Sequence, residues 1–359
     1  MIKFVLKRLF YGFLVLLGVI TVVFLLFNVL PGDPARMMLG QRADQASIDA
    51  INKDLGRDKP LTTQFLMYLN DLSPISVQDP IDKNHFLYLN PDKYSTYQKL
   101  FSVSSTKILI LKYPYLRRSY ITKRKVSDII SETLPETTIL AFSSILFGSF
   151  FGILLGIFSA LKKNSWFDKS ALFFAIFGMA LPSFFIGLII AWFFGFILRD
   201  YTGLNNVGSL YTTDDFGEEH LTLKNLILPT VTLGLRPLAI IIQLTRSSLL
   251  DVLSQDYIRT ATAKGLTFYK VIFKHALKNA LNPVITAISG WFAGLMAGAV
   301  FVEIIFNWKG IGYEVVDALN KNDLPVVMGA TLVFAVIFVL INIAVDIIYG
   351  ILDPRIRVQ

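Results

Sequence analysis

The chain has 359 residues, 54% hydrophobic and 13% aromatic, with a mean hydropathy of +0.57. Only 17% are charged, against about 25% in ordinary soluble domains, and the apolar residues gather in runs of the roughly 20 that cross a bilayer, which excludes a water-soluble globular domain. A formal charge of +8 then belongs to cytoplasmic lysines and arginines, and the absence of cysteine excludes disulfides, a thiolate nucleophile and cysteine metal sites.

The expected fold is an all-α polytopic membrane protein of six transmembrane helices. Segment 1 covers about residues 9–30, with Lys3, Lys7 and Arg8 before it. It is too long for a signal-peptide core and lacks a small-residue cleavage site, so it reads as a retained span with its basic end in the cytoplasm. Pro31, Gly32, Asp33 and Pro34 are expected to stop it on the far side. Residues 31–130 hold no spanning run and read as a sizeable extracytoplasmic insertion between the first and second spans. In it, one short helix is expected from Ser47 to Gly56. A second follows Pro60, with Leu61, Phe65, Leu66 and Leu69 on one face. Residues 107–113 (KILILKY) suggest a strand.

Segment 2 covers about residues 134–161 and returns to the cytoplasm at Lys162 and Lys163. Gly148, Gly152 and Gly156 recur every four residues, a strip on which another helix can approach closely. Segment 3, about 170–198, is interrupted by Pro182, and an acidic loop with Asp200, Asp214, Asp215, Glu218 and Glu219 suits the outer side. Segment 4 is about 226–250, segment 5 about 284–306 and segment 6 about 326–352. Segment 5 carries a second strip, Gly290, Gly294 and Gly298, again read as helix packing. The domains are thus 1–30, 31–130 (with an insertion at about 73–115), a five-helix core over 131–352, and a cytoplasmic tail, 353–359. Both termini are expected in the cytoplasm.

The polar stretch between segments 4 and 5, residues 251–283, carries Arg259, Lys264, Lys270, Lys274 and Lys278 against Asp251 and Asp256. Ser254 suits the cap of a first short helix, with Ile258, Ala261 and Gly265 on one side. Gly265 suits the left-handed residue that ends it. Thr267 suits the cap of a second helix, to about Leu281, with Phe268, Val271, Ile272 and His275 on one face and Pro283 disfavouring its continuation. The three lysines recur every four residues as a basic stripe.

Ionisable residues inside the spans are few: Arg236 in segment 4, Glu303 in segment 5 and Asp346 in segment 6. Such charges usually face a cavity or a partner, which makes Arg236 and Glu303 candidates for a translocation pathway. There is no phosphate-binding G-x-x-x-x-G-K-[ST], no G-x-S-x-G, no zinc-protease helix, no nucleic-acid-binding fold and no proton-relay spacing. His85, His220 and His275 form no metal-ligand pair by spacing. The pattern argues for a non-enzymatic pathway driven from outside the chain, with the drive entering at 251–283.

Residues 256–265 (DYIRTATAKG) resemble the "EAA" loop of bacterial ABC importer permeases in its dipeptide/oligopeptide/nickel variant, with Arg259-Thr260-Ala261, three spacers and Gly265 matching the family's core spacing. NVLPGDPA at 28–35, RSYITKRKVSDIISETLP at 118–135, LTRSSLLDVL at 244–253 and GAVFVEIIFNWKGIG at 298–312 are similar to further signatures of that family. The family's apolar, Pro-ending motif is replaced by His275-Ala276-Leu277-Lys278, the form usual in the peptide branch. Lys309 and Gln243 depart from common family residues. The resemblance implies a multi-pass permease subunit of the bacterial cytoplasmic membrane that moves dipeptides or oligopeptides by alternating access. Its implied partners are a second homologous permease, two ATPase subunits that carry the ATP and magnesium, an extracytoplasmic solute-binding protein and membrane lipid. This chain itself would hold no cofactor. Asp256, Tyr257, Arg259, Thr260, Ala261, Lys264 and Gly265 would form the ATPase-coupling loop. Nickel chelates or another small solute are the alternative cargo, and an ATPase-independent channel or carrier the alternative class.

Overall fold

The computed structural model describes residues 2–29, 52, 56–82, 85, 87–90, 93, 94, 96–104, 106–214 and 216–352. The expected stop at residues 31–34, most of the expected helix over 47–56, and the tail 353–359 lie outside the described residues.

In chain order, helix α1 is Ile2–Val29 and α2 is Leu61–Leu72. Strands β1 Ile75–Gln78, β2 Tyr97–Ser102 and β3 Ile108–Lys112 follow. Then come α3 Val126–Leu161, α4 Trp166–Ala180 and α5 Ser183–Trp192, the last extended by a π-helical turn at Phe193–Ile197. A hairpin of β4 Tyr211–Thr213 and β5 Glu219–Leu221 precedes α6 Lys224–Leu253 and α7 Asp256–Ala263. The chain closes with α8 Asn282–Gly298, α9 Val300–Phe306, α10 Ile311–Asn320 and α11 Leu324–Leu352.

Among the described residues, four helices are long and apolar enough to cross a membrane: α1, α3, α6 and α11. The count reaches six if each of two bent pairs is one span. Segment 3 is therefore not one straight helix. Leu181 and Pro182 are extended, because proline removes an amide and disfavours helix in the residue before it, and α4 and α5 meet at 109°. Segment 5 bends by 58° between α8 and α9. The helix surfaces carry large apolar side chains outward, including Phe142, Phe150, Phe173, Phe174 and Ile189. Within the helices most backbone groups pair with one another, which is what a surface in lipid requires.

The chain forms two compact units: residues 1–12, 133–313 and 337–359, and residues 13–132 with 314–336. In the second, β1, β3 and β2 make an antiparallel sheet in that order, with Ile75 opposite Leu111 and Tyr97 opposite Lys112. The strand expected over 107–113 is β3, and its Ile110 is fully buried with Leu89 and Tyr94. The face of α2 differs from expectation: Phe65, Tyr68 and Leu72 pack with Val23, Phe24, Met328 and Leu332, while Leu61 and Leu66 are exposed. Residues 65, 68 and 72 are the i, i+3, i+7 stripe that a helix presents to one neighbour.

In the first unit α3 lies close against α6. The strip Gly148, Gly152 and Gly156 makes this possible: a methyl there would fall 3.0 Å from the Gly234 carbonyl oxygen, 2.8 Å from Ile241 Cγ2 and 2.6 Å from Thr245 Cβ, respectively. Gly234 on the facing helix is equally tight, 2.8 Å from the Ser144 carbonyl oxygen. The second strip behaves differently. A methyl at Gly290 or Gly294 would meet nothing within 4 Å among the described residues, so neither glycine is pressed against another helix there.

Candidate functional site

The 251–283 stretch folds onto the ends of two long helices. Ile258 and Ala261 of α7 and Val271, Ala276 and Ala280 beyond it are buried with Ile157 and Ala160 of α3 and Leu249 of α6. Of Ile258, Ala261 and Gly265, expected on one side, the first two are buried and Gly265 is exposed. Ser254 is a departure: it ends α6, its hydroxyl donating to the Asp251 carbonyl at 2.7 Å, and Gln255 stands at the start of α7 without a side-chain cap. Gly265 adopts φ +77, the left-handed conformation expected of it.

The second helix departs further. Phe268–Lys270 is α-helical, Val271–Ala276 is π-helical and Leu277–Ala280 is α-helical again. The wider π turn shifts the buried face, so Val271, Ile272, Ala276 and Ala280 turn inward while Phe268 is exposed. Pro283 does not end this helix. It occupies the first turn of α8, where its missing amide costs no hydrogen bond.

The outward face of this element is polar and aromatic. Asp256, Tyr257, Arg259, Thr260, Lys264 and Gly265 are exposed, as are Lys270, Lys274 and Lys278. Arg259 Nη1 lies 3.5 Å from Asp256 Oδ1, and the Thr260 hydroxyl donates to the Asp256 carbonyl at 2.9 Å. Asn279 Nδ2 donates to the Tyr257 hydroxyl at 2.9 Å, tying α7 to the second helix. Phe268, Tyr269 and Phe273 are exposed nearby in sequence. A face with exposed charges and aromatic rings over a packed floor is chemically suited to holding another protein.

The two candidate pathway charges have opposite surroundings. Arg236 is exposed midway along α6 and makes no ion pair or hydrogen bond among the described residues. Glu303 is fully buried. Its carboxylate accepts from the Thr137 hydroxyl at 2.7 Å and from the Tyr313 amide at 2.9 Å, and the Ile311 amide donates to Thr137 Oγ1 at 2.8 Å. Gly310 and Gly312 leave room for it; a methyl at Gly310 would overlap Glu303 Oε1. In this conformation the Glu303 carboxylate is enclosed by the Thr137 hydroxyl and by backbone amides. Asp346 is paired with Arg8 at 3.2 Å, across α11 and α1.

Two further features lie outside the expected site residues. Asp168, in the first turn of α4, is buried and paired with Arg246 of α6, although spacing alone makes it an ordinary helix-start acid. Asp214, Glu218 and His220 of the β4–β5 hairpin bring ligand-type atoms within 4.8 Å of one another. His220 Nε2 lies 2.9 Å from Asp214 Oδ2, and it, with backbone amides, holds the Asp214 carboxyl below the usual range. All three are exposed or nearly so.

Residues 152–358 match the family described as "Binding-protein-dependent transport system inner membrane component", and residues 1–83 match its N-terminal model, "Binding-prot-dependent transport system membrane comp, N-term". A dipeptide transport system permease protein, DppB, of Alkalihalophilus pseudofirmus is 34% identical over 371 residues, covering 99% of this chain and 100% of that protein. A di/tripeptide transport system permease protein of Pseudomonas aeruginosa is also 34% identical, over 376 residues and 100% of both chains. A glutathione transport system permease protein, GsiC, of Pectobacterium atrosepticum is 34% identical over 357 residues, 99% of each.

Proposed function

The chain belongs to the binding-protein-dependent transport system inner membrane component family, and on that premise we propose that it is the membrane permease of an ATP-driven importer of dipeptides or short oligopeptides. Relatives named for dipeptide, di/tripeptide and glutathione transport, aligned end to end with this chain, support a small-peptide cargo. The observation that carries the coupling assignment is the 251–283 element: its inner face is packed on the ends of α3 and α6, and its outer face offers Asp256, Tyr257, Arg259, Thr260, Lys264 and the Gly265 bend. Force applied to that outer face reaches two spans directly.

In this reading the element lies in the cytoplasm with both termini, and residues 31–130 and the β4–β5 hairpin lie outside, where a solute-binding protein delivers cargo. Two ATPase subunits dock on the loop and drive alternating access. A second permease completes the pathway. The Gly290–Gly294–Gly298 strip, open in this chain at its first two members, takes its helix partner from that second permease. Arg236 lines the pathway and meets the peptide carboxylate, while Glu303 braces the loop that follows α9.

The test is reconstitution of the full assembly in vesicles, with uptake of a labelled dipeptide and ATP hydrolysis read together. Uptake that needs ATP, the ATPases and the binding protein is expected, and Gly265→Val is expected to abolish it while the chain still inserts. Uptake without ATPases would replace this reading with a carrier. Efficient competition by a nickel chelate but not by peptides would change the cargo.

A further inference from the structure

One carboxylate gathers three helices beside the proposed coupling loop. Asp168 of α4 is 2% exposed at its side chain. Arg246 of α6 reaches it with two parallel bonds, Nε to Oδ1 at 2.5 Å and Nη2 to Oδ2 at 2.8 Å. The Ser159 hydroxyl, near the end of α3, donates to Oδ1. The Asn164 amide, in the turn between α3 and α4, donates to Oδ2 at 2.8 Å. Asp168 thus receives four donors from every segment that meets there, and Arg246 is bound as a planar fork, which fixes direction as well as distance.

The position of this cluster gives it a use. Arg246 is three residues from Leu249, and Ser159 lies between Ile157 and Ala160; Leu249, Ile157 and Ala160 form the floor on which the 251–283 element packs. Gly156 faces Thr245, the neighbour of Arg246, so the close contact of α3 and α6 leads straight into the ion pair. A push on the loop reaches α3 and α6 through the apolar floor. Apolar contacts resist separation but permit sliding, and a helix end that slides dissipates the push. The fork of Arg246 on Asp168 forbids that sliding and also ties in α4.

We infer that the Asp168–Arg246 pair is a transmission latch: it makes the ends of α3, α4 and α6 move as one body with the loop, so that ATP hydrolysis is converted into transport. This rests on the assignment of 251–283 as the coupling loop. Both residues are positioning residues, and neither touches cargo or nucleotide in this reading.

The chain has no cysteine, which permits a clean test. Asp168→Cys/Arg246→Cys is made in the full assembly, and ATP hydrolysis and labelled dipeptide uptake are measured in the same vesicles, before and after joining the two thiols with a short bifunctional thiol reagent. Before joining, ATP hydrolysis stimulated by the binding protein is expected to persist while peptide moved per ATP falls about tenfold, the scale of a lost coupling between sites. Joining is expected to restore at least half of the original ratio, a recovery that a misfolded chain would not show. Arg246→Lys, which keeps the charge and loses the fork, is expected to lower the ratio in the same direction and serves where the double variant fails to assemble. An unchanged ratio in Arg246→Lys, or a lowered ratio in the double variant that joining does not restore, overturns the latch. Gly265→Val is run beside them. Normal transport by that variant with uncoupling in the pair variants removes the loop assignment and keeps the pair; the reverse removes the latch alone.

Discussion

Gly156→Ala tests the packing of α3 on α6. A methyl at this position would sit 2.6 Å from Thr245 Cβ and 2.9 Å from the Ile242 carbonyl oxygen. Carbon atoms in ordinary contact are about 3.5–4.0 Å apart, so the helices must separate by about 1 Å here. Alanine raises helix propensity by up to about 1 kcal/mol over glycine. Overpacking of a close contact costs about 1–3 kcal/mol, and the backbone oxygen cannot rotate away, so the clash wins and leaves a net loss of about 1–2 kcal/mol. At Gly290 and Gly294 nothing lies within 4 Å, so alanine there gains propensity without a clash. Thermal unfolding of the purified chain in detergent, followed by intrinsic fluorescence, separates the two cases. Gly156→Ala is expected to lower Tm by about 2–4 °C, and Gly290→Ala to keep or raise it. Equal Tm values for the two variants would refute the reasoning.

Glu303→Leu removes the acceptor that the Thr137 hydroxyl and the Tyr313 amide now use. Two buried donors are then left without a partner, costing about 1–3 kcal/mol, so Tm should fall while Glu219→Gln at the exposed hairpin should leave it unchanged in the same assay. Arg236→Ala should reduce uptake of peptides with a free carboxylate while assembly is normal; unchanged uptake of every peptide tried would remove Arg236 from the pathway. Lys112 is buried over the Tyr94 ring, and desolvation, partly offset by Asp71, pulls its pKa from 10.5 down to about 8. The unfolded chain keeps the proton to higher pH, so the cost of burying the ammonium is full below about 8 and is relieved as pH rises toward 10.5. Resistance of residues 73–115 to proteolysis should therefore increase between pH 8 and 10 in the native protein, and Lys112→Met should remove that increase.

Much of the architecture is local physics. A run of apolar residues without acids commits the chain to membrane-crossing helices, because only a helix satisfies its own backbone in lipid. The left-handed turn at Gly265, the inward pair Ile258 and Ala261, and strand β3 follow from spacing and from the properties of single residues. The loop's second helix is less legible: its π-helical stretch packs against α3 and α6, with Phe268 exposed and Ala276 buried, and no local signal in the sequence marks that turn. Ser254 and Pro283 are valid cap and break signals, but each serves the neighbouring helix.

The sequence by itself determined the membrane class, the family resemblance and the position of the loop, since these depend on composition and on residues adjacent in the chain. The tertiary structure decided what the residues face. Two glycine strips with the same period differ in that α6 lies on one, while among the described residues nothing lies within 4 Å of Gly290 and Gly294 on the other. Arg236 and Glu303, both lone charges in apolar runs, separate into an exposed cation and an enclosed acceptor. Asp168 and Arg246 stand 78 residues apart, and only the fold of α4 beside α6 makes one ion pair of them. Periodicity fixes which residues share a face, whereas the partner of that face is set by contacts between distant segments.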